Sequence, residues 1–234
     1  MKKTLIVFMA LVFALTTLNS GCAKKNKREK LAPELAAEAM KSFEKERYQS
    51  SIDTFNKLRD WYPFDKLATL AEFKIAEAYF KMEEYEQAIV AYEEFAKLHP
   101  RNESIPYVLN QIALCYYNRI DTVDRDQNTA RAAIEAFTKL ERRFPESEYA
   151  RQAAEKKAVC LKSLAGHEFY VGRFYFKSKH YKGARARFET LLKTYPGLGF
   201  DKEAKEYIAL CDKKIATEGT DKTGRRDEMI IMPE

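Results

Sequence analysis

Asp124, Asp126, Asn128 and Glu135 stand at the first, third, fifth and twelfth places of DRDQNTARAAIE, the spacing of a calcium-binding loop. Oxygen donors so placed can wrap a hard cation only if the chain turns sharply at the sixth place. Thr129 stands there instead of Gly, and from Ala130 onward the residues read as helix, which carries Glu135 away from the aspartates. The expected role is therefore structural. Asn128 or Asp126 caps the helix that follows, and Asp124, Arg125 and Asp126 salt-bridge locally to fix a long connection. No metal or other cofactor is expected.

The nitrogen and sulfur chemistry points the same way. His99, His167 and His180 form no pair at i, i+4, and no HExxH, nucleophile elbow, Ser-His-Asp arrangement or Gly-rich phosphate loop occurs. An enzyme is not expected. Cys115, Cys160 and Cys211 each follow a proline (Pro100, Pro145, Pro196) by fifteen residues, so they are one position of a repeated unit. Equivalent positions on stacked helices lie about 9 to 10 Å apart, beyond the roughly 7 Å that a disulfide spans, so buried free thiols are expected. Cys22 is different. It ends LNSGC after MKK and an apolar run from Thr4 to Leu18, a layout similar to a lipoprotein signal, although Asn19 stands where Leu is usual. Lipidation of Cys22 after removal of 1–21 is the expectation, with a soluble periplasmic protein cut near Gly21 as the alternative. The run is too short to span a bilayer. The basic stretch AKKNKREK that follows either meets anionic headgroups or serves as a solvated tether over 22–32.

The elements that position these residues repeat. YQSSIDTFNKLRDWYP (48–63), YEQAIVAYEEFAKLHP (85–100), ARAAIEAFTKLERRFP (130–145) and YKGARARFETLLKTYP (181–196) share a small residue, an aromatic four later, and an aromatic-Pro or His-Pro ending. Apolar spacing in each is helical, and proline stops it. A second helix precedes each, with a small residue twelve before the next small one in Ala76–Ala88 and Gly172–Ala184. This pattern resembles the tetratricopeptide repeat, in which each helix pair buries the face of the next. Ten helices in five pairs are expected, at about 34–46, 48–61, 66–82, 85–98, 104–119, 128–143, 147–164, 167–178, 181–194 and 200–216, giving an all-α solenoid. The tail 217–234 is expected to be disordered. Eight glycines and 32% charged residues fit long helices better than a sandwich of strands. The net charge of +6 is mild, and Lys and Arg alternate with Glu instead of forming a stripe, which excludes a nucleic-acid module. The clusters Trp61, Tyr62, Phe64 and Phe169, Tyr170, Phe174, Tyr175, Phe176 read mostly as core; helical spacing accounts for Tyr62 and Tyr175, but Phe169, Tyr170, Phe174 and Phe176 cannot all face inward, and that surplus points to a packed partner or an additional helix contact.

The GC-ended leader, WYPF at 61–64, DRDxxxARAA at 124–133 and LAGHEFYVGRFYFKSKHY at 164–181 resemble the BamD family of outer-membrane assembly lipoproteins. That resemblance implies a scaffold facing the periplasm from the outer membrane of a Gram-negative bacterium. Its N-terminal repeats (33–146) would receive unfolded outer-membrane proteins, and its C-terminal repeats (147–216) would hold the BamA barrel subunit beside other assembly lipoproteins. A basic residue nine places before the last repeat proline meets BamA in the family; here it is Arg187, with Arg185 beside it in YKGARAR. A groove lined near its start by Tyr48, Tyr62 and Phe64 is expected to bind extended, aromatic-ended substrate segments. A secretin-assembly or pilotin type of tetratricopeptide lipoprotein is the alternative; it would share the leader and repeats.

Overall fold

The computed structural model describes residues 29–228, with side chains to 218. The expected lipidation site, Cys22, lies outside the described residues. Among those residues there are nine α-helices and no strand: α1 (Ala32–Glu44), α2 (Tyr48–Trp61), α3 (Lys66–Lys81), α4 (Tyr85–Leu98), α5 (Ile105–Asn118), α6 (Asn128–Arg143), α7 (Glu148–Lys177), α8 (Tyr181–Thr194) and α9 (Asp201–Glu228). Each packs on the next, and α1 also meets α3 as α5 meets α7, the layering of a helical-pair solenoid.

The repeated sentence builds the joints. Small residues let paired helices close: Ala76 and Ala88, Ala113 and Ala133, and Ala184 are wholly buried, and Gly172 faces the ring of Phe188. In the first pair Ser51 replaces alanine, and its Oγ donates to the carbonyl of Ala39 at 2.9 Å. Phe55, Tyr92, Phe137 and Phe188, the aromatics four places later, are wholly buried. Gly172 is required by space, since a Cβ there would lie 2.7 Å from the ring of Phe188.

The stops are equally regular. Tyr62, His99, Phe144 and Tyr195 leave the helix with φ between −141° and −123°, because the following proline clashes with an αR residue before it. Each still donates its backbone N–H four residues back at 2.9 Å. The tight turns inside pairs place Glu46, Glu83 and Lys179 at φ of 57°, 61° and 61°, the left-handed caps that close α1, α3 and α7.

Two expectations are corrected. The helices expected at 147–164 and 167–178 are one helix of 30 residues, α7, so nine helices stand where ten were expected. No proline interrupts the join, and Gly166 there serves a close approach: its missing Cβ would stand 2.9 Å from Val123 Cγ1. The last helix, expected to stop at 216, continues to Glu228, since no proline precedes Pro233 to end it. Residues 229–234 lie outside the described residues.

Candidate functional site

The DRDQ connection is a built loop. Asp126 makes a turn leading into α6: its Oδ1 accepts from the backbone N–H of Asn128 at 2.8 Å and its Oδ2 from Asn128 Nδ2 at 3.1 Å, but the N-cap position falls to Gln127 and not to the expected Asn128 or Asp126. Asp124 Oδ1 accepts from the Thr122 hydroxyl at 2.5 Å, and that bond holds its carboxyl below the usual range. The local salt bridge is a correction: Arg125 pairs with neither aspartate, both of which are occupied by Thr122 and Asn128. Glu135 faces away, onto a cavity beside Tyr116.

What fastens the loop is Gln127, a residue that no sequence motif marks. Buried, it donates through Nε2 to the carbonyls of Thr122 (3.1 Å) and Arg125 (3.0 Å) and accepts from Ser163 Oγ on α7 at 2.9 Å. His167 Nδ1 meets the Val123 carbonyl at 2.7 Å, so the loop is docked on the middle of α7. Only the chain's folding back over 36 residues joins Gln127 to Ser163; spacing carries no trace of it.

Arg185 and Arg187 point to opposite neighbours of α8. Arg187 Nη1 donates to Glu168 Oε2 on α7 at 3.1 Å, and that bond raises the guanidinium pKa, with Tyr175 adding to it. Arg185 Nε lies 2.8 Å from Asp212 Oδ1 on α9, close enough to pair but not aligned to donate, and its Nη1 lies 3.1 Å from Glu189. Both arginines keep 42% of their side chains exposed. Beside Arg187's partner Tyr175, Phe174 sets its ring 6.2 Å away and is 57% exposed, with Tyr170 one turn earlier 45% exposed. The expected surplus of aromatics is therefore real: Phe169 is buried against Phe188, Phe200 and Tyr207, while Tyr170 and Phe174 face out.

Tyr48, Tyr62 and Phe64 do not form one patch. Tyr48 packs edge-on against Phe43 at 5.3 Å, Tyr62 is half-buried in the same cluster, and Phe64 is fully exposed next to half-exposed Trp61. Tyr48 and Tyr62 bound α2 at its two ends, about 20 Å apart at 1.5 Å per residue.

A different line of side chains crosses the first helices of the pairs. Lys74 on α3 lies 4.9 Å over the ring of Phe43 from α1 and 2.6 Å from Glu77. Glu77 Oε1 accepts from the Tyr107 hydroxyl on α5 at 2.9 Å, Gln111 Nε2 donates to the same hydroxyl at 2.5 Å, and the Tyr107 ring meets Tyr149 of α7 edge-on at 5.7 Å. Gln111 Oε1 is buried without a partner there, as is the Tyr92 hydroxyl behind it. Burial pushes the Tyr107 hydroxyl up to about 12. Aromatic surface and both charge signs thus run across α1, α3, α5 and α7.

Residues 28–224 match the family model described as YfiO, outer membrane lipoprotein. The chain belongs to this family. Among curated YfiO-family relatives, the outer membrane protein assembly factor BamD of Rickettsia prowazekii is 30% identical over 230 residues, covering 90% of this chain and 91% of its own. BamD of Neisseria gonorrhoeae is 29% identical, covering 92% and 85%, and BamD of Vibrio cholerae is 26% identical, covering 76% and 81%. A thermophilic TPR protein of Thermus thermophilus, 15% identical, covers 77% of this chain and 98% of its own at a TM-score of 0.41, too loose a likeness to add to the fold. The YfiO match takes in the docked loop, the aromatic face of α7 and the arginines of α8 alike.

Proposed function

We propose that this chain is a lipid-anchored scaffold of the outer-membrane β-barrel assembly machinery. It holds a BamA-type barrel subunit through its C-terminal helices and receives unfolded outer-membrane proteins along its N-terminal ones. The observation that carries this reading is the match to proteins named outer membrane protein assembly factor over about nine-tenths of the chain, together with a surface made for contact.

The partner side is Arg187 with Tyr170 and Phe174. Rings and a guanidinium are the residue types that dominate protein interfaces. Glu168 holds the arginine fork in place in the free chain and can share it with an acidic group on the partner. The substrate side is the line from Phe43 through Lys74, Glu77 and Tyr107 to Tyr149. Each buried apolar side chain of a segment laid on it contributes about 1.5 to 3 kcal/mol before ordering costs, enough to hold an extended chain briefly. Weak capture suits a substrate that must pass on to the barrel.

Isolation of the tagged, lipidated protein from the outer membrane tests the reading. Recovery of a barrel protein carrying periplasmic POTRA domains supports it; recovery of a secretin in its place overturns it.

A further inference from the structure

α4 and α6 occupy the same place in successive pairs, as do α3 and α5, yet the gaps they enclose differ. Aligned on the repeat prolines, Ala91 matches Ala136, Glu94 matches Lys139, Ile75 matches Ile112 and Glu72 matches Leu109. The earlier gap is nearly shut at about 20 Å³, lined by Arg59 and Glu72, and Glu72 is held across it by His99 at 2.6 Å. In the later gap Leu109 replaces Glu72, and Ala96 stands where Arg59 does, so the two polar side chains that line the earlier gap have no counterpart here. A cavity of about 230 Å³ remains, floored by Leu109, Ile112, Tyr116 and Ala136. That is room for several waters or one aromatic side chain, with the apolar floor lying beneath a charged rim.

The rim is charged and unpaired. Glu93, Glu135, Lys139 and Arg142 border the opening, and none is in an ion pair among the described residues. Along α6 the acid comes first and the bases one and two turns later, so the opening has an acidic end, where Glu93 and Glu135 act on the Tyr116 hydroxyl, and a basic end at Lys139 and Arg142. Val90, one turn before Glu93 and 65% exposed, extends the apolar surface outward.

We propose that this cavity is a socket for another protein's segment, seating one aromatic side chain while the carboxylate side chain next to it pairs with Lys139 and Arg142. The apolar floor selects the ring. The free basic end selects the acid, because Arg142 can take a carboxylate with both arms of its fork. At the other end Glu93 and Glu135 can accept the segment's backbone N–H groups. This site lies on other helices than Arg187, so it works independently of the contact proposed there.

Fluorescence anisotropy of a labelled, end-capped peptide Gly-Ser-Phe-Asp-Ser-Gly against the full chain tests the socket. Binding at least tenfold tighter than that of the Ala-Asp and Phe-Lys analogues is expected. Ala136→Leu, which fills the cavity, should weaken it at least tenfold, as should Lys139→Glu with Arg142→Glu at exposed positions that leave folding intact. Arg187→Glu should leave it unchanged. Equal binding of the three peptides, no saturable binding of the Phe-Asp peptide at millimolar concentration, or binding unmoved by the charge-reversed variant would overturn the proposal.

Discussion

Arg187 on α8 and Glu168 on α7 share a hydrogen bond of 3.1 Å with the arginine 42% exposed and the glutamate 14%. The pair thus orients a cation toward solvent without hiding it. Its own stabilisation is small, below about 1 kcal/mol, because the arginine side is screened by water.

That asymmetry separates binding from stability. Arg187→Glu sets two carboxylates together and removes the cation, so recovery of the barrel partner should fall at least tenfold while the melting temperature moves by no more than a few degrees. Glu168→Gln keeps the cation and should leave recovery at or above the wild-type level. Equal loss in both variants would make the pair a structural brace and no more.

Gln127 carries three hydrogen bonds from a buried position, two to the loop and one to Ser163. Gln127→Leu leaves the carbonyls of Thr122 and Arg125 and the Ser163 hydroxyl unmet, at a cost of about 2 kcal/mol, or roughly 5 °C in thermal unfolding. Arg125→Ala, at an exposed residue paired with neither aspartate, should cost next to nothing. Calorimetry of the two variants compares them directly.

The two glycines of α7 should respond differently to alanine. At Gly172 the new methyl meets the Phe188 ring at 2.7 Å inside a full core, and overpacking there costs about 1 to 3 kcal/mol. At Gly166 the nearest atom is Val123 Cγ1 at 2.9 Å, on an exposed loop side chain that can turn aside. Gly166→Ala should therefore be the milder, and urea midpoints rank them.

The thiols make a pH prediction. Burial pushes Cys115 up to about 12 and Cys160 up to about 11, from an ordinary value near 9. Folded-state values above the unfolded ones mean that the folded chain keeps protons the unfolded chain releases. Stability is then full below about pH 9 and falls as pH rises toward 11 to 12. A thiol reagent at pH 8 should leave Cys115, Cys160 and Cys211, which are free and buried, unmodified until the chain is unfolded.

Sequence carried the parts of this fold that are written locally. The small-to-aromatic spacing and the pre-proline stop set helix boundaries within a residue or two, because each depends on neighbours along one chain. The register of the three cysteines followed from the same spacing, and each sits in a different core cluster. The unbroken α7 was not legible, because Ala165-Gly166 looks like a break until Val123 arrives from 43 residues away to occupy the space. Gln127, the line from Phe43 to Tyr149 and the cavity at Leu109 depend on which helices lie side by side. Tyr48 and Tyr62 read as neighbours in purpose, but the helix between them holds them apart.

Depletion of this chain in its own cell, with the folded and unfolded forms of outer-membrane β-barrel proteins separated by their heat-modifiable mobility, tests the scaffold most directly. The account predicts that unfolded barrel proteins accumulate as the chain is lost and that the wild-type copy restores folding. Barrel proteins that fold at their normal rate and yield in depleted cells would contradict it.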